Sequence, residues 1–172
     1  SDVCSSDLPS ASGDTAGEDY QLAVPLDPAS VGGTSVDLFS GREFGWIPLG
    51  EAFVLPAGDG WVLLEPQPLD DERWWVIAQR GRGDAPELVE HSLDLGYAQG
   101  VAEDMVRRLG ATALARGDAE WRRRAASGGQ MLALGKWGVR PDTALTAGAA
   151  SDLLTATIAR ATWAKARKGG GR

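Results

Sequence analysis

Between residues 44 and 93 the apolar positions come in short runs set apart by turn residues, the pattern of strands rather than helices. "FGWIPLG" (44–50) and "AFVLP" (52–56) are strand-like pieces interrupted at Pro48. "AGDG" (57–60) is a turn signal, because Asp-Gly readily takes the positive φ angles of a tight hairpin. "WVLLE" (61–65) follows, then a proline-rich acidic stretch, "PQPLDDE" (66–72), that reads as a loop. "RWWVIAQ" (73–79) is the strongest strand, rich in aromatic and β-branched residues, and "ELVEHSL" (87–93) is the last, after the loop "RGRGDAP" (80–86). Alternation puts Trp74, Val76 and Ala78 on one face and Trp75 and Ile77 on the other. Both faces are apolar, and the helix that comes next covers only one. The second face is therefore expected to dock on a partner or on another part of a longer chain.

After residue 92 the period changes to that of a helix. Ser92 is a candidate N-cap for a helix over Leu93–Leu109, with Ala98, Val101, Ala102, Met105 and Leu109 as its apolar stripe. Arg107 and Arg108 suit the C-terminal end of its dipole, and Gly110 is a stop. Ala111–Arg116 adds a turn or two before Gly117–Asp118 breaks it. Ser127 and Gln130 form a capping-box pattern that opens a helix through about Trp137, closed by Gly138. Thr146 then caps a second helix, Ala147 to Lys168, with a stripe of Ala150, Leu153, Leu154, Thr157, Ile158 and Ala161. The expected fold class is α+β: a small antiparallel sheet of about four strands, a long helix, then a C-terminal helix–loop–helix. The segments divide as a small α+β domain over 36–117, a basic helical module over 118–168 and a disordered tail over 169–172. Residues 9–35 have the Pro, Gly, Ser, Ala and acid content of a disordered linker.

Charge changes this picture more than composition does. Residues 1–104 hold 20 Asp/Glu against 4 Lys/Arg, whereas residues 105–172 hold 4 against 13. A basic C-terminal segment suits a phosphate backbone, and equally the two segments can attract one another. One cysteine, Cys4, excludes a disulfide framework or thiolate cluster, and one histidine, His91, argues against histidine metal sites. No apolar run reaches the ~20 residues of a membrane span. No membrane partner is expected, and the cytoplasm is the expected location. The chain contains no P-loop, dinucleotide fingerprint or nucleophile elbow, so no catalytic residue and no metal ligand is assigned.

Binding chemistry is better represented. Trp121 precedes Arg122, Arg123 and Arg124, which offer planar forks for phosphates beside a ring that can stack on a base. On the last helix Trp163 shares a face with Arg160 and Arg167, either as a stacking platform or packed on a neighbouring element. Lys136, Arg140, Lys165 and Lys168 complete the candidate nucleic-acid-binding set.

The stretch from Ala126, "ASGGQMLALGKWGVRPDTALTAGAASDLL", resembles a short C-terminal module of bacterial DNA-handling proteins, among them the tails of actinobacterial superfamily II (DEAD/DEAH-box) helicases. The matching positions are Ala126, Ser127, Gln130, Leu134, Gly138, Val139, Leu145, Thr146, Gly148, Ala150, Ser151, Asp152 and Leu153; where the pattern has Glu, this chain has Ala149. "GYAQGVAEDMVRRLG" and "WRRR" are similar to the same tail, and the module has the looser outline of a SAP-type helix–loop–helix. The resemblance implies a parent that hydrolyses ATP with magnesium and moves on nucleic acid. This segment would be an accessory that contacts nucleic acid, DNA before RNA, or the parent's motor domains, with no cofactor of its own. A protein-interaction module docking through the sheet's outer face is the alternative.

Ser1–Leu8, "SDVCSSDL", back-translates as TCA GAC GTG TGC TCT TCC GAT CT, which resembles the end of a sequencing adapter. It is read as an assembly remnant to be set aside from the fold, with the parent's motor expected upstream.

Overall fold

A computed structural model describes residues 43–169; the expectations for residues 1–8, 9–35 and 170–172 lie outside them. Five strands form one antiparallel meander in the order β1-β2-β3-β4-β5: β1 Ile47–Leu49, β2 Ala52–Ala57, β3 Gly60–Gln67, β4 Asp70–Gln79 and β5 Glu87–Leu93. The fold is α+β, with one more strand than expected. The two strand-like pieces before the Asp-Gly turn form two separate strands, and in β1 Pro48 sits at the sheet's edge, where its missing N–H costs no ladder bond. The proline-rich stretch 66–72 is not a loop. Gln67 pairs with Asp70, and Pro68–Leu69 make a two-residue turn in which Leu69 takes φ 73°. At the other end of β3 a hairpin turn lies within the expected 57–60 stretch, but its central pair is Gly58 (φ 67°) and Asp59 rather than Asp-Gly, because Gly60 already pairs with Ala57. Gly60 must be glycine because a Cβ there would lie 1.8 Å from the Gln79 carbonyl oxygen.

Four helices follow: α1 Leu95–Arg108, α2 Thr112–Ala115, α3 Gly128–Lys136 and α4 Ala147–Gly169, with a 3-10 turn at Glu120–Arg123. The first starts two residues later than its sequence predicts. Leu93 pairs with Trp74 and so extends β5, and Ser92 takes φ 56° and donates to Gln67 Oε1. Asp94 is the N-cap residue, although its carboxylate pairs with Arg73 at 2.9 Å instead of capping. The buried stripe of α1 is Ala98, Gln99, Ala102 and Val106; Leu109, expected in it, is exposed.

Alternation along β4 holds, and it sorts the core into two layers. Leu55, Val62, Leu64, Val76 and Ala78 pack with Ala98, Ala102 and Val106 of α1. Val54, Trp61, Leu63 and Ile77 pack with Ala156 and Ala159 of α4, with Trp75 and Trp163 at the margin. This corrects the expectation of an open second face. The chain's own last helix returns across the sheet and covers β1 to β3, so Trp75 and Ile77 are not a free docking surface. A third cluster, Leu134, Val139, Ala150 and Leu153, joins α3 to α4. The N-terminal part of the α4 stripe, Ala150, Leu153 and Leu154, faces α3, whereas its Ile158 packs on the sheet cluster, and the stripe missed Ala156 and Ala159, which face the sheet. Alanine contributes too little hydrophobic contrast for a periodicity to register it.

Candidate nucleic-acid interface

The α3–α4 unit is fixed by its termini. Ser127 Oγ accepts from the Gln130 N–H at 3.2 Å, and Gln130 Oε1 accepts from the Ser127 N–H at 2.9 Å, the reciprocal pair its sequence predicts. Thr146 Oγ1 accepts from the Ala149 N–H at 3.2 Å, capping α4. The two N-termini are tied together, because Gln130 Nε2 donates to the Ala147 carbonyl at 2.9 Å. The 3-10 turn is held against α4 by the Ala147 N–H, which donates to the Arg124 carbonyl at 2.7 Å. Its close approach requires Gly148, where a Cβ would lie 2.8 Å from that of Arg122.

Beside α4 this arrangement leaves a groove of about 940 Å³, between the helices and one end of the sheet. Its apolar lining includes Trp61, Trp137, Leu154 and Ile158. The helical wall carries Lys136, Lys165, Ser151 and Thr155 and no carboxylate; the sheet wall carries Arg82, Asp59 and Asp84. Lys136, Lys165 and Arg82 are exposed and have no carboxylate partner among the described residues.

The other predicted residues are spread over the helical layer. Arg123 and Arg124 are exposed at the end of the 3-10 turn, and Arg140 is exposed in the α3–α4 loop. Arg160 and Lys168 are exposed on α4 outside the groove. Arg122 is turned inward, with its side chain 15% exposed, and its Nη2 donates to Asp152 Oδ2. Burial pushes the Asp152 carboxyl up from its ordinary value, and the Arg122 guanidinium opposes that shift. Trp163 packs against the sheet and its Nε1–H donates to Glu65 Oε2 at 2.7 Å, while Arg167 reaches Glu65 Oε1 at 3.1 Å. Of the two readings its sequence left open, packing is the position Trp163 occupies. The face it shares with Arg167 is engaged with Glu65. Sequence reasoning missed Arg82, whose loop between Gly81 and Gly83 gave no sign of facing α4, and Trp137, which reads as a helix end.

A family model described as "Mitochondrial helicase Irc3, C-terminal domain" matches residues 37–170, a range that contains every described residue. The chain belongs to this family. No curated protein and no solved structure matches it. As an Irc3 C-terminal domain it is a helicase C-terminal region, and its module residues acquire a physical reading. Ser127, Gln130 and Thr146 are caps, Gly138 takes φ 75° at the end of α3, and Leu134, Val139, Ala150 and Leu153 are core. Gly148 admits the 3-10 turn, and Asp152 receives Arg122. Nearly all the positions that carry the resemblance thus build the unit. Ser151 alone among them lines the groove.

Among the described residues no group of His, Cys, Asp and Glu could hold a metal ion, and no helix is long and apolar enough to cross a membrane. The chain carries no P-loop sequence to hold ATP and magnesium, so no nucleotide step is assigned to its residues.

Proposed function

We propose that this helicase C-terminal domain is an accessory nucleic-acid-binding region of a superfamily II, DEAD/DEAH-box enzyme, whose ATP- and magnesium-dependent motor domains are its other partner. DNA is placed before RNA because the module resembles one found in DNA-handling proteins. The observation that carries the reading is the placement of unpaired charge. Arg123, Arg124, Lys136, Arg140, Arg160, Lys165 and Lys168 are all exposed on the helical layer with no carboxylate partner among the described residues. Most of the exposed acids lie instead on the sheet and its turns, as at Asp70, Asp71 and Glu72. Seven exposed cations on one layer repel one another, and binding a polyanion relieves that repulsion while releasing the counterions condensed on its phosphates.

The test is a titration of the whole chain against labelled single- and double-stranded DNA over a salt series. Four neutralised phosphates would lower affinity by about a hundredfold between 50 and 200 mM salt. Substituting Arg123→Ala and Arg124→Ala together should flatten the slope of log affinity against log salt by about 1 to 2. No binding at low salt, or binding with no salt dependence, would overturn the reading.

A further inference from the structure

We infer that the groove beside α4 is a track for an unpaired strand, held by the cations and apolar side chains of its helical wall. This rests on the nucleic-acid reading above and goes further, to which part of the helical layer holds the ligand and in what form.

Three features carry it. The first is chemistry. A duplex keeps its bases stacked inside and offers a protein surface mostly phosphate and groove edges, so a binding site for it needs charge and little apolar surface. This groove has partly exposed apolar side chains in its lining, Trp137, Leu154 and Ile158, which suit base faces taken out of a stack. The second is charge placement. The α3–α4 wall presents Lys136 and Lys165 and the hydroxyls of Ser151 and Thr155, and no carboxylate. The opposite wall mixes Arg82 with Asp59 and Asp84. Phosphates are drawn to the first wall and repelled from much of the second, which keeps the strand against the helices. The third is length. Ser151 to Lys165 along α4 spans about 21 Å at 1.5 Å per residue. That corresponds to about six nucleotides at the 3.4 Å spacing of a stacked strand, and fewer when the strand is extended.

The proposal is tested with charge-matched pairs in the whole chain. Lys136→Glu with Lys165→Glu reverses two charges in the groove, and Arg160→Glu with Lys168→Glu reverses two charges on the same layer outside it. All four side chains are exposed and unpaired among the described residues, so neither pair removes a buried contact. Folding of both variants is checked by circular dichroism and thermal melting. The probe is a fluorescein-labelled oligothymidylate of about twelve nucleotides, with a duplex of equal length as competitor. The groove pair is expected to weaken binding at least tenfold more than the outer pair. Thr155→Glu, a single charge placed in the lining, is expected to exceed either outer substitution made singly. The duplex should compete less well than the free strand. Equal losses from the two pairs, or equal competition by duplex, overturns the track while leaving the nucleic-acid reading intact. Displacement of the strand by poly-glutamate as effectively as by oligothymidylate assigns the groove to acidic peptides and overturns it too. Absence of any nucleic-acid binding at low salt removes both.

Discussion

The two faces of the sheet are covered in different ways. On one, α1 follows β5 with a single intervening residue and seals the face with an ordinary amphipathic stripe ending in Val106. On the other, α4 arrives from fifty residues further along and packs through small residues, Ala156 and Ala159, so that its backbone lies close to the strands. It is then fixed at two polar points, Trp163 and Arg167 on Glu65 near its end and Arg122 on Asp152 near its start. The first face is closed. The second leaves a groove at its margin and carries the unpaired cations. Both helices meet the strands through alanines, Ala98 and Ala102 on α1 and Ala156 and Ala159 on α4. What differs is that α1 adds Val106 and the partly buried Leu95, Val101 and Met105 along its length, whereas α4 is held by polar anchors near its ends, and the flank between those anchors is free to face a ligand.

The largest expected effect separates the two layers directly, because Leu63 and Leu64 are adjacent on β3 and face opposite ways. Each is fully buried, and truncation to alanine removes apolar contact and leaves a cavity, at a cost of about 2–5 kcal/mol in either case. Chemical denaturation should show comparable losses. Hydrogen exchange should separate them: Leu63→Ala lowers amide protection in α4 before α1, and Leu64→Ala does the reverse. Identical exchange patterns would mean that the two layers open as one unit and that the contrast is only geometric.

A smaller effect tests the approach of the 3-10 turn to α4. At Gly148 an added methyl meets the Arg122 side chain and its carbonyl, at 2.8 and 3.1 Å. Backbone atoms yield little, so Gly148→Ala is expected to destabilise by about 1–3 kcal/mol despite alanine's better helix propensity. A stabilised variant, read by thermal melting, would show that the turn is loosely held. The α4 face would then owe less to its polar anchors than the comparison claims.

The same contrast decides what was legible in the sequence. The turn within 57–60, the alternation through Trp74–Ala78, the capping box and the Thr146 cap all rest on local chemistry, and each is present where its sequence predicts, the turn one residue earlier than its Asp-Gly pair. What was not legible is long-range. Nothing at Ala156, Ala159 or Trp163 says that they meet strands a hundred positions earlier, so the covered second face read as an open one. Helix α1 failed by two residues for a related reason, because pairing between Leu93 and Trp74 outweighed a good capping serine. For the candidate interface, residue type singled out Lys136 and Lys165 correctly as exposed cations. It could not tell them from Arg122, whose two exposed neighbours in sequence are also arginines. The distinguishing partner, Asp152, lies thirty residues away and was noticed only as part of a motif.

That partner supplies the smallest effect, and its sign is informative. Burial raises the Asp152 carboxyl above its ordinary 3.8, and Arg122 only partly opposes this. The folded chain therefore holds the Asp152 proton more tightly than the unfolded chain. The stability this group contributes is fully present below 3.8 and is lost as pH rises through the raised value. Asp152→Asn keeps an acceptor for Arg122 and cannot ionise. Its stability relative to the wild type should shift in its favour as pH rises through that window, then level off, in paired urea unfolding curves. A shift in the opposite direction would mean that pairing with Arg122 outweighs burial. In that case the contact would be an electrostatic clasp that strengthens as the carboxylate ionises, and the α4 face would be held by charge. The expected sign means instead that Arg122 is retained at a site where its partner's charge is costly. The three consecutive arginines then divide their work, with Arg122 docking the turn on α4 and holding Arg123 and Arg124 outward at its edge.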